Sequence, residues 1–109
     1  MHEIRTGLKQ INGVVVDTFE RDVDRAGALL EVESGTTGFC GGEREEGGRA
    51  YVRIRAKNAD FFAKVNTDEK GRPQEVEIAV SGDAEILALM ESLHFAGTAL
   101  METCADEND

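Results

Sequence analysis

The last quarter of the chain constrains the fold most. Between residues 83 and 104, Ile86, Leu89, Met90, Leu93, Gly97, Leu100, Met101 and Cys104 recur at steps of three and four. That spacing makes one apolar face on a helix of about six turns. Ser81 or Asp83 is placed to cap its start, and Asp83 and Glu85 suit the positive end of the helix dipole. The acidic tail at 105–109 is expected to fray. A long amphipathic helix has to lie on a second layer of structure.

The residues before it supply that layer. Val76, Ile78 and Val80 alternate within 75–80, as do Phe61, Ala63 and Val65 within 59–66. Residues 68–73, Asp-Glu-Lys-Gly-Arg-Pro, read as the turn of a hairpin between these runs. Residues 49–57 alternate Ala50, Val52, Ile54 and Ala56 against Arg49, Tyr51, Arg53, Arg55 and Lys57. Leu30 and Val32 mark a strand at about 28–34, and Val14-Val15-Val16 opens another at 14–21. Residues 22–27 read as a turn, with Val23, Ala26 and Leu30 spaced for a helix as the alternative. Residues 1–13 suit either a short helix through Ile4, Leu8 and Ile11 or a strand ending in an Asn12-Gly13 hairpin turn.

The expectation is a single α+β domain over residues 1–109. An antiparallel sheet of about five strands is covered on one face by the long C-terminal helix. The inward set is Val52, Ile54, Phe61, Val65, Val76 and Ile78 with the helix stripe.

Charge narrows the function. The 109 residues carry 22 acidic and 12 basic side chains, a net charge of -10. Such a chain repels phosphate backbones and anionic lipid, and attracts basic surfaces. Direct binding to duplex nucleic acid or to a membrane is therefore not expected. Cys40 and Cys104 fit neither a disulfide framework nor a zinc spacing, and no apolar run approaches a membrane span. A reduced, cytoplasmic protein without a metal or cofactor is the expectation.

Three constellations are candidates for function. The first is the segment 34–48, with six glycines, where about 14 residues join two strands. Loops of that length are usually functional or disordered. Thr36, Thr37, Arg44 and Arg49 are placed to help hold an anion there, and Phe39 and Cys40 to touch a ligand or partner. The segment lacks the Gly-Lys-Ser/Thr of a phosphate loop, and Glu43, Glu45 and Glu46 oppose an anion. A mobile hairpin tip is the plain alternative. Cys40 as a nucleophile has no base assigned by spacing, and its glutamate neighbours would raise its pKa.

The second is the basic strand face of Arg49, Tyr51, Arg53, Arg55 and Lys57, which has the outline of a nucleic-acid platform. Cross-strand pairing with Glu31, Glu33, Glu75 and Glu77 is the simpler reading. The third is a seam on the opposite side of the helix from the apolar stripe: Ala88, Ser92, Phe95 and Ala99. Either the N-terminal segment, through Ile4 and Leu8, or a second copy of the chain is expected to cover Phe95.

These features favour a non-enzymatic acidic interaction protein, one that inhibits a basic, nucleic-acid-binding partner. In size and charge it is similar to small immunity proteins against nuclease toxins and to phage inhibitors of bacterial defence. The alternatives are a nucleotide- or phosphate-binding protein using residues 35–49, and an enzyme using Cys40.

Overall fold

The structure, a computed structural model, describes residues 3–39 and 47–107. Six strands precede one helix: β1 (Arg5–Ile11), β2 (Val14–Arg25), β3 (Ala28–Thr36), β4 (Ala50–Asn58), β5 (Phe61–Thr67), β6 (Pro73–Val80) and α1 (Asp83–Glu107). The protein is α+β, with the C-terminal helix packed on a sheet. The strands do not form one sheet of about five. β1 to β4 make a four-stranded antiparallel sheet in sequence order, and β5 and β6 form a separate hairpin.

Two tight turns set the register of the first three strands. Asn12-Gly13 and Ala26-Gly27 each have positive φ at both central residues, the twist a two-residue hairpin requires. The N-terminal segment is therefore a strand. Residues 22–25, expected in a turn, belong to β2. The charged run Arg21-Asp22-Val23-Asp24-Arg25 holds as strand because Val23 is buried and the charges alternating with it find partners in three other elements.

The core lies between α1 and one face of the sheet. Val23, Leu30 and Val32 are fully buried there, beside Ala88 and Ala96 of the helix, with Ile54, Phe61 and Phe95 packed around them. Of the residues expected inside, Ile54 and Phe61 line this core, whereas Val52, Val65, Val76 and Ile78 are exposed. Val65, Val76 and Ile78 are outside because β5 and β6 left the main sheet and project as an arm.

The helix is also turned about its axis relative to expectation. Its inward face is the small-residue seam with Leu89 beside it, and Ile86, Met90, Leu93 and Met101 of the stripe face away. The Gly82 carbonyl accepts the first helical bond, from Ile86 N–H at 2.9 Å, so Gly82 takes the cap position rather than Ser81 or Asp83. At the far end α1 continues to Glu107, into the tail expected to fray.

The four-stranded sheet curls. β1 and β4 would lie roughly 14 Å apart in a flat sheet. Yet Arg49 Nε donates to the Ile11 carbonyl at 3.3 Å, and the Lys9 ammonium sits 5.1 Å from the centre of the Tyr51 ring. Gly35 permits the bend: a Cβ there would stand 2.2 Å from the Asp17 carbonyl oxygen on β2. The curl buries Val16 and Thr18 on the face away from the helix.

Candidate interaction surfaces

On that helix-free face, each strand contributes charge at alternate positions. Glu31, nearly buried at the centre of β3, meets four cations: Arg5 at 3.3 Å, Arg53 at 3.0 Å, Arg55 at 2.8 Å and Lys57 at 3.2 Å. Arg53 also reaches Glu33 at 2.9 Å and Glu20 at 2.8 Å. Arg5 holds Glu20 and Asp22, and Lys57 holds Asp22. Thr18 donates to Glu33 at 2.7 Å. Burial pushes the carboxyls of Asp22, Glu31 and Glu33 up. Hydrogen bonds outweigh it, from Lys57 and Arg5 to Asp22, from Lys57 and Arg53 to Glu31, and from Thr18 and Arg53 to Glu33. All three sit below the ordinary carboxylate range.

The basic strand face is thus matched by carboxylates of β2 and β3. Glu75 and Glu77, expected among those partners, lie on the arm instead, where both accept from Asn66 at 2.6 Å.

At the base of the glycine-rich segment the threonines close the chain on itself. Thr36 Oγ1 donates to the Arg49 carbonyl at 2.7 Å and accepts from the Gly38 N–H at 3.0 Å. Thr37 Oγ1 accepts from the Arg49 N–H at 3.0 Å. The Arg49 guanidinium donates to the carbonyls of Ile11, Gly47 and Gly48. Thr36, Thr37 and Arg49 come together with Phe39 near them, and their polar groups are engaged in closing the segment. Phe39 is exposed beside a shallow, mostly apolar hollow that Leu100 and Cys104 also line. Cys40 and Arg44 lie outside the described residues. Arg53 and Tyr51 sit on the charged face, Tyr51 under Lys9.

The helix seam has its partner within the chain. Ala88 and Ser92 are fully buried, and Ser34 Oγ donates across to the Ala96 carbonyl at 3.0 Å. Arg21 and Arg25 of β2 both hold Glu91, Arg21 at 3.0 Å, and Arg21 also lies over the Phe95 ring at 5.8 Å. Phe95 and Ala99 face a groove of about 490 Å³ that Ile4, Phe19 and Arg21 also line. Ile4 of the N-terminal segment lines this groove with Phe95 and stays exposed, as does Leu8. Ala88 and Ser92 are thus buried within their own chain, Phe95 packs on the core, and Phe95 and Ala99 border the groove.

The residues sequence reasoning missed are those it placed inside. Ile86, Met90, Leu93 and Met101 on α1, and Val65, Val76 and Ile78 on the arm, are all 39–69 % exposed. The signal was present in the seam itself, since alanine and serine at four-residue steps let a helix lie close on a sheet.

Among the described residues, no group of three or more His, Cys, Asp or Glu is placed to hold a metal, and no helix is long and apolar enough to cross a membrane. No family model matches the chain, and no curated protein or solved structure matches it.

Proposed function

We propose that the chain is a non-catalytic binding protein whose acidic surface recognises and blocks a basic, nucleic-acid-binding protein. One observation carries the reading. On the β1–β4 sheet, Arg5, Arg53, Arg55 and Lys57 are neutralised in place by Glu20, Asp22, Glu31 and Glu33, while Lys9 lies over the Tyr51 ring. Arg21 and Arg25 share Glu91, and Arg72 pairs with Asp68. Among the described residues, Asp17, Asp60, Glu69, Asp83 and Glu102 have no ion-pair partner. The surplus of the -10 chain is therefore left on the outside, where it steers encounter with a positive surface and rejects negative ones.

The same geometry weighs against an anion pocket at 35–49. Arg53 is surrounded by carboxylates, and Arg49, Thr36 and Thr37 are engaged with backbone. The reading is tested by capture from the native cell at low salt. The retained partner should be basic, its nucleic-acid binding should fall when this protein is added, and affinity should drop at least about tenfold between 50 and 300 mM salt. Charge reversal at Asp83 and Glu102 should weaken binding in the same direction. Affinity independent of salt, or a captured partner of acidic surface, overturns it.

A further inference from the structure

We propose that the outer face of α1 and the apolar face of the β5–β6 arm are the two halves of a two-fold interface between copies of this chain. The inference is independent of the acidic-surface reading.

The arm supplies the first half. Phe61 pairs with Val80, Ala63 with Ile78, and Val65 with Val76, so these six residues share one face of the hairpin. That face begins in the core, where Phe61 packs, and runs outward to exposed Val65 and Val76. A lone two-stranded hairpin is at best marginally stable in water. The arm therefore needs cover along a surface continuous with the core.

The helix supplies the second half. Ile86, Met90, Leu93 and Met101 follow one another along the side opposite the sheet. With Leu87, Val65, Val76 and Ile78 they present on the order of 700–800 Å² of apolar surface. Summed over both surfaces, that is one partner's share of a standard interface.

A second copy fits these two surfaces better than a different protein does. A two-fold rotation would lay the arm of each protomer on the outer helix face of the other, setting apolar surface against apolar surface. Neither surface carries a charged side chain: the arm face is Phe61, Ala63, Val65, Val76, Ile78 and Val80, and the helix stripe from Ile86 to Met101 is equally free of charge. Two chains of charge -10 can therefore meet there with their repulsion confined to the rim, whereas a basic partner finds nothing to recognise. The shape agrees. The radius of gyration is 15.3 Å, against about 13 Å for a compact chain of this length. The excess is what a protomer with an outstretched arm should show.

The test is the mass in solution of the full chain, by sedimentation equilibrium at about 10 µM. Twice the chain mass is expected. Leu93→Glu on the helix and Val76→Lys on the arm should each weaken association at least about 100-fold, with far-ultraviolet circular dichroism unchanged because both positions are exposed in the protomer. Mixing the two variants should restore dimers. One arm–helix contact is then wholly unmodified, and the other sets Lys against Glu. A monomeric parent chain overturns the proposal even if a variant fails to fold. So does a dimer indifferent to both substitutions, or a mixture of folded variants that stays monomeric. Binding of the monomer to neutral lipid vesicles through Leu93 would likewise overturn it, in favour of a membrane as the occupant.

Discussion

Glu31 shows how a charged residue comes to sit inside a small sheet. Its carboxylate has left water, which is costly alone, but four cations reach it. The consequence for pH has a definite sign. Asp22, Glu31 and Glu33 have folded-state pKa values below their unfolded ones. The stability they confer is therefore complete above their unfolded values, at about pH 5 and higher, and is lost as pH falls through the depressed folded-state values. Arg53→Met should cost about 2–3 kcal/mol at pH 7, since it strips a partner from half-buried carboxylates. Urea unfolding across the pH range checks this: the gap between variant and parent should narrow below pH ~4 as the carboxylates protonate. A gap constant from pH 7 to 3 would mean that Arg53 acts by packing alone. The pairing of Glu31 and Glu33 with the basic strand was legible in the sequence, because alternation puts facing residues of neighbouring strands on one side. The contributions of Arg5, Glu20 and Asp22 were not. They depend on β2 running straight through a charged segment that reads locally as a turn.

At the scale of the element, α1 is decided by packing rather than by periodicity. Both of its sides are apolar, one through large residues and the other through alanines and Phe95. Period alone reports that a helix forms and leaves its rotation open. The sheet settles the rotation. Leu30, Val32 and Ile54 already supply bulk to the layer, so the side that approaches it has to be small. Ser34 and the pair of arginines on Glu91 then fix that angle by hydrogen bonds and charge. Ala88→Leu pushes three further carbons into a fully buried site and should destabilise the protein by about 1–3 kcal/mol. A denaturant midpoint shift at unchanged slope is the measurement. An unchanged midpoint would put Ala88 on the outside after all.

For the whole molecule, the governing fact is that the chain does not cover all its own apolar surface. The curled four-stranded sheet and α1 enclose one core, and the arm leaves it. If copies complete one another, folding and association are linked, and stability depends on concentration. The thermal midpoint should rise by about 5–10 °C between 1 and 100 µM chain. A midpoint fixed over that range would mean that the protomer is stable uncovered. The acidic surplus stays outside in either case, so partner recognition and self-association use different surfaces.

The sequence by itself determined the elements: a terminal helix, the alternating strands, the hairpin at 61–80 and an excess of acid over base. These follow from contacts between residues near in the chain, where period, turn residues and composition act directly. Only the tertiary structure decided that β5 and β6 leave the sheet, that Gly35 lets the other four strands curl, and that α1 turns its small side inward. Those are choices among alternatives of nearly equal local cost. They are made by volumes and charges brought together from distant parts of the chain.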